Sequence, residues 1–256
     1  MASKPPRKQS TPSATRKQQI RDAKREEARL AAEKQARQKK QLMILGAIAG
    51  VAVAVVLALI LINRDDSSSS TPAITDAPAA ITVPMNGLTL GNPDAPVKIV
   101  EYGDYQCPYC GDFSRNGFHP LIDEFVASGD VQFTYVPMSF LGDESVRAAE
   151  AAMCANTQGQ FWAMHESIYN NQFGENRGAF ERSRLDQMAE RIGLDMESFK
   201  ACMDNGDQRG AVSNQAAVAQ QDGVSSTPTF IINNGEPIGW VSWAALREEI
   251  VSALGG

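Results

Sequence analysis

An α/β domain with a block of helices set into it, preceded by one membrane-spanning helix, is the fold class that this 256-residue sequence predicts. Three observations predict it. A charge-free apolar run occupies residues 42–62, and short runs rich in β-branched residues recur at 96–102, 131–137 and 229–233. Between the second and third of these runs lies a stretch of helix-forming composition, residues 143–221.

The N-terminal part differs from the rest in charge. Residues 1–41 hold 13 Lys/Arg against 4 Asp/Glu, and the remainder holds 11 against 26, so a basic head precedes an acidic body. Residues 1–15, rich in Pro, Ser and Lys, predict disorder. Residues 16–41 are mostly Ala, Arg, Lys, Glu and Gln, with Ile20 and Leu30 the only large apolar side chains. That composition predicts a solvated basic helix that touches anionic lipid head groups. It carries no aromatic stacking groups and no reading motif, so nucleic acid is not an expected partner.

The run LMILGAIAGVAVAVVLALILI at 42–62 contains no charged side chain. As a helix it spans about 31 Å, the thickness of the bilayer's hydrocarbon. A core helix this apolar would need protein on every side, and a secretory signal has a shorter apolar region behind a short basic leader. An uncleaved anchor is expected. Lys and Arg crowd the side before the span, which places the head in the cytoplasm and the acidic body outside it, in a single-pass protein of the cell membrane. Residues 63–84, NRDDSSSSTPAITDAPAAITVP, predict a flexible tether with an end-to-end distance of about 25 Å.

The remaining residues, 85–256, predict one domain, and 43% hydrophobic residues is enough to build its core. PVKIVEY (96–102) reads as a strand. The next stretch, CPYCGDFSRNGFHPLIDEFVASG, places Phe113, Leu121, Ile122, Phe125 and Val126 at helical spacing, with a kink expected at Pro120. VQFTYVP (131–137) is a second strand. Residues 143–221 predict helices broken near Gly159, Gly174 and Gly193, with Trp162, His165 and Tyr169 at the spacing of core packing. The chain ends with strand 229–233, a turn at NNGE, strand 236–241 and a helix from Ser242.

YGDYQCPYCGDF, residues 102–113, sets two cysteines three positions apart between strand and helix. Pro108 then falls at the first helical position, where its missing N–H does no harm. Cys107 lies at the helix start, facing unpaired backbone N–H groups and the positive end of the helix dipole, and both favour thiolate. Cys110, one turn further in, is within disulfide reach but more shielded. The same spacing occurs in zinc ribbons, which need four ligands. Cys154 and Cys202 sit singly, 48 apart, and His119 and His165 show no ligand spacing, so a redox couple is expected, with no metal and no cofactor. Outside the cytoplasm such cysteines can stay oxidised.

GNPDAPVKIVEYGDYQCPYCGDF resembles the active-site segment of bacterial DsbA-like thiol:disulfide oxidoreductases, a branch of the thioredoxin superfamily. GVSSTPTFIINNGEPIGW resembles their later proline loop. The likeness extends from about Leu88 to the C-terminus. It implies a thioredoxin fold, βαβ then ββα, with a helical domain inserted between the halves; the 118 positions from Cys110 to Pro228 are too many for a plain thioredoxin. It also implies roles. Cys107 matches the nucleophile that forms mixed disulfides with clients, and Cys110 the resolving cysteine. Pro228 matches the family's cis-proline, with Thr227 before it beside the disulfide; an ordinary trans turn is the alternative. Glu101, six residues before Cys107, matches a buried acid beneath the active site, where desolvation would raise its pKa and let it exchange protons with Cys110. The alternative is a strand-end glutamate facing water. Asp104 reads as a turn or capping residue. Cys154 and Cys202, which related proteins pair in similar contexts, are expected to form a structural disulfide, with two free buried thiols the alternative.

The function so implied is the oxidation of thiols in unfolded or partly folded exported proteins, with re-oxidation by a membrane oxidase of the DsbB or VKOR type. Pro108-Tyr109 between the cysteines also occurs in glutaredoxins, and Tyr109 brings no positive charge to the thiolate. An extracytoplasmic reductase or isomerase is therefore a second reading, and a tethered non-redox peptide-binding or chaperone module a third.

Overall fold

The computed structural model describes residues 72–255, except residue 77, together with scattered helical positions between residues 21 and 50. The expected anchor at 42–62 lies outside the described residues apart from Met43, Gly46 and Gly50, as does the expected disorder at 1–15. Among the described residues no helix is long and apolar enough to cross a membrane. The chain divides into two compact units, Met1–Ser70 and Thr71–Gly256. All four cysteines belong to the second.

That unit opens with a small hairpin, β1 (Met85–Asn86) and β2 (Thr89–Leu90), turned at Gly87, whose φ of +57° suits glycine. The predicted strands follow as β3 (Val97–Gly103), β4 (Val131–Pro137), β5 (Thr229–Ile232) and β6 (Ile238–Gly239). They form one sheet in the order β1-β2-β4-β3-β5-β6. β3 and β4 are parallel, with Ile99 opposite Phe133 and Glu101 opposite Tyr135, while β5 is antiparallel to β3, with Phe230 beside Glu101. β3 buries Val97, Ile99 and Glu101 on one face, while the other grades from exposed Lys98 through half-buried Val100 to buried Tyr102. β6 is shorter than the 236–241 expected, because Pro237 just before it has no N–H to give to a ladder.

A parallel pair needs a crossover, and the helix after β3 supplies it. It begins as α1 (Pro108–Phe113) and continues to Val126 through two wide π turns, Ser114–Phe118 and Ile122–Val126, joined by the α-helical link His119–Leu121. Pro120 cannot donate to the preceding turn, and the wide turns on either side absorb the missing bond. Phe113 from α1 packs against Phe230 and Phe133, with ring centroids 4.8 and 6.1 Å apart. Each such fully buried ring contributes about 1.5–3 kcal/mol. The helix is thereby fixed over the sheet, and its N-terminus is held at the C-terminal end of β3.

Five helices form the insertion: α2 (Asp143–Asn156), α3 (Phe161–Asn170), α4 (Arg182–Arg191), α5 (Met196–Asn205) and α6 (Arg209–Gln221). α7 (Trp243–Ala253) closes the chain, its first turn capped by Ser242, whose Oγ accepts from the Ala245 N–H. Trp162, His165 and Tyr169 are buried core residues of α3, and Phe118 stacks on Trp162. Cys154 of α2 is disulfide-bonded to Cys202 of α5.

Residues 72–84, expected to belong to a free tether, lie against the insertion. Arg184 Nη1 donates to the Pro72 carbonyl (2.6 Å) and Arg191 Nη1 to that of Ile74 (2.5 Å). The Thr75 N–H donates to Asn171 Oδ1, and Asn171 Nδ2 to Thr75 Oγ1, both at 2.9 Å. Ile74 and Val83 are buried. The segment's own Ala- and Pro-rich composition gives no sign of this, because the groups that hold it are side chains of the insertion. The boundary between tether and domain therefore lies at or before residue 72 rather than at 84.

Candidate active site

β3 ends at Gly103, where any Cβ would press on the Tyr135 ring at 2.5 Å, and the chain turns through Asp104 to Gln106 into α1. Asp104 organises that turn. Its Oδ1 accepts from the Gln106 N–H (2.8 Å) and Ser145 Oγ (2.6 Å), and its Oδ2 accepts from the N–H groups of Phe140 (2.9 Å) and Leu141 (3.0 Å). A fully buried carboxylate is tolerable only with its lone pairs occupied in this way. Of the two expected roles, turn or cap, Asp104 has the first, and it also ties the turn to the loop after β4 and to α2.

Cys107 occupies the N-cap position of α1 with extended backbone angles, and Pro108 is the first helical residue. The Cys107 side chain is nearly covered and Cys110 is fully buried, while Tyr109 between them is 67% exposed. Both cysteines are free thiols in this structure. The Thr227-Pro228 peptide bond is cis, and Cys107 Sγ donates to the Thr227 carbonyl at 3.2 Å. The Asp104 N–H points at Cys110 Sγ, 3.4 Å away.

The two thiols are electrostatically unequal. A hydrogen bond from the Cys110 thiol brings the Cys107 pKa down to about 6; burial opposes this, while the backbone N–H groups of Cys110 and Tyr109 add to it. The helix N-terminus expected to stabilise this thiolate is the smaller contributor, and the neighbouring thiol the larger. Burial pushes the Cys110 thiol well above its ordinary value, and its bond to Cys107 and the charge of Glu101 push the same way. One sulfur is held ready as an anion and the other as a protonated donor.

Glu101 lies beneath the pair, 1% exposed, and neither carboxyl oxygen has a hydrogen-bond partner among the described residues. Burial holds its pKa well above the carboxylate range, with a further push from the Cys107 charge. It is therefore a buried carboxyl that resists ionisation rather than a solvated strand end. Around it stand Tyr105, Tyr135 and Tyr169, all buried, with the Tyr135 and Tyr169 hydroxyls 3.0 Å apart. His165 Nδ1 lies 3.2 Å from the Tyr105 hydroxyl, and burial presses its pKa down to about 3, so it is neutral.

The structure thus brings together Glu101, Cys107, Pro108, Tyr109, Cys110, Thr227 and Pro228, while Cys154 and Cys202 are joined within the insertion. Sequence reasoning missed Gln172. From the loop after α3, its Nε2 donates to the carbonyls of Tyr105 and Cys107, both at 2.8 Å. Nothing in the spacing of a loop glutamine announces partners that are backbone atoms 65 or more positions away.

A family model described as thioredoxin matches residues 84–251. The chain is 37% identical over 168 residues to Na(+)/H(+) antiporter NhaA 1 of Salinispora arenicola, a match covering 65% of this chain and 24% of that protein. It is 28% identical over 195 residues to disulfide bond formation protein D of Bacillus subtilis, covering 75% of this chain and 83% of that one. The chain accordingly spans about a quarter of the length of the antiporters it matches. Among solved structures, oxidised BdbD from Bacillus subtilis aligns with a TM-score of 0.62 at 27% identity, over 71% of this chain and 100% of that one. α-DsbA1 from Wolbachia pipientis aligns with a TM-score of 0.59 at 19% identity, over 68% and 94%, a likeness of fold.

Proposed function

The chain belongs to the thioredoxin family matched over residues 84–251, and from that premise we propose that it is a protein thiol:disulfide oxidoreductase that introduces disulfides into exported proteins. The observation that carries this reading is the inequality of the two thiols, with Cys107 drawn down to about 6 and Cys110 pushed up. A stable Cys107 thiolate favours the dithiol over the disulfide, which makes the couple an oxidant; a reductase needs the opposite. The similarity to a protein named for disulfide bond formation agrees with this.

In the forward reaction a client thiolate attacks Cys107 Sγ of the enzyme disulfide. The S–S bond breaks, a mixed disulfide forms, and Cys110 leaves with the electron pair and takes up a proton. Glu101, buried beneath the pair with its pKa raised by burial, is the group that can supply that proton. A second client thiolate then attacks the client's sulfur in the mixed disulfide, and Cys107 departs as the stable thiolate. The client loses two electrons and two protons, and the enzyme's sulfurs gain the two electrons. Tyr109 and the Thr227-Pro228 loop form the surface beside Cys107 on which an extended client peptide lies. A membrane oxidase of the DsbB or VKOR type restores the disulfide.

The apolar run 42–62 with its basic flank supports a single-pass anchor, cytoplasmic head and extracytoplasmic catalytic domain. A protease added outside intact cells then removes the domain and spares the head; loss of the head contradicts the orientation. For the chemistry, Cys107→Ser abolishes oxidation of a reduced client, and Cys110→Ser accumulates mixed disulfides on Cys107. Client adducts trapped on Cys110 would reverse the assignment, and full activity toward unfolded proteins in Cys107→Ser would favour a non-redox binding module.

A further inference from the structure

The backbone around Cys107 is held from two sides, and only one of them belongs to the thioredoxin core. On the core side the Cys107 N–H donates to the Asp104 carbonyl (3.0 Å), and the Gly111 N–H donates to the Cys107 carbonyl (3.1 Å). On the other side stands Gln172. Both hydrogens of its Nε2 are committed, one to the Tyr105 carbonyl and one to the Cys107 carbonyl, each at 2.8 Å. Its own stem is pinned in turn. The Gln172 N–H donates to the Tyr169 carbonyl (3.2 Å), and the preceding Asn171 is fixed by its bonds to the Ser167 carbonyl (2.8 Å) and to Thr75.

The remaining atom of the amide explains a glycine. A Cβ at Gly111 would lie 2.0 Å from Gln172 Oε1, closer than any real contact. Gly111 directly follows Cys110 inside a helix, where glycine costs about 0.5–1 kcal/mol relative to alanine. Its lack of a side chain lets the glutamine reach across the first turn of α1 to the N-cap carbonyl.

We propose that Gln172 is a positioning residue which, from the helical insertion, fixes the backbone on both sides of the nucleophilic cysteine. By orienting the carbonyls of Tyr105 and Cys107 it sets the N-cap geometry that keeps Cys107 Sγ against the Cys110 thiol and the N–H groups of Tyr109 and Cys110. The insertion then serves the chemistry directly, because it tunes the thiolate. The inference rests on Cys107 being the attacking cysteine.

The test uses the full-length protein, with Cys107 titrated by thiolate absorbance and the couple equilibrated with glutathione. Gln172→Glu keeps the shape but turns a donor into a carboxylate facing two carbonyls. It raises the Cys107 pKa by about a unit, a tenfold change in the thiolate equilibrium, and makes the couple about fivefold less oxidising at pH 7. Gly111→Ala displaces the same amide from the other side and moves both readings in the same direction, although alanine is the better helix former. Parent-like pKa and potential in both variants, with their folds intact by circular dichroism, overturn the proposal. A parent Cys107 titrating like a free cysteine overturns the proposed function and this inference together.

Discussion

Glu101 is the residue whose environment departs furthest from its chemistry. It is buried in the central strand without a hydrogen-bond partner among the described residues, and its folded pKa is well above the ordinary value near 4.3. The folded state therefore keeps a proton that the unfolded chain releases. Stability fully present below about pH 4.3 is lost as pH rises toward the raised folded value. Glu101→Gln cannot ionise and escapes that loss. Thermal unfolding of the oxidised protein, in which neither active-site cysteine titrates, should show parent and variant alike near pH 4 and the variant more stable as pH rises. Parallel curves would mean that the carboxyl is solvated. The same variant should slow client oxidation on the order of a hundredfold, the lower end of general acid–base contributions. The proposed roles of Cys107 and Cys110 follow from their spacing at a strand–helix junction, and that of Pro228 from the resemblance of its segment to the family's proline loop. The role of Gln172 was not legible, because its partners are backbone carbonyls 65 or more positions away, nor were the bonds of Asp104 to Phe140, Leu141 and Ser145.

At the scale of elements, strands β3, β4 and β5 and the crossover helix followed from β-branched runs and from apolar residues at helical spacing. The β1–β2 hairpin was not anticipated, although Gly87 at the first position of its two-residue loop is a residue such turns favour; its strands are only two residues long and leave no periodicity to read. The docking of residues 72–84 was equally hidden, since Arg184, Arg191 and Asn171 supply its donors. The insertion was legible in composition, but its internal brace, Cys154–Cys202, came from resemblance rather than from pattern. That bond closes a 48-residue separation between α2 and α5. Replacing both cysteines with alanine should destabilise the domain by at most about 4 kcal/mol, read from denaturant unfolding, and should leave the Cys107 titration unchanged. A shifted titration would mean that the brace reaches the active site, and unchanged stability would mean that it braces nothing.

At the scale of the whole folded unit, Thr71–Gly256, the arrangement is a thioredoxin core whose cysteine-bearing turn is gripped by a helical insertion, with the segment from residue 72 bound to that insertion. Residues 72–75 are held by Arg184, Arg191 and Asn171 of that insertion. The direction of electron flow was not legible in the sequence, because it depends on the difference between two sulfur environments that only the folded chain creates. The reduction potential of the Cys107/Cys110 couple, measured by glutathione equilibration alongside the Cys107 titration, tests that direction most directly. A Cys107 pKa near 6 and a potential above roughly −200 mV are the results expected of an oxidant. A pKa of 7 or higher with a potential near about −270 mV, the value of a thioredoxin-type reductant, would contradict it.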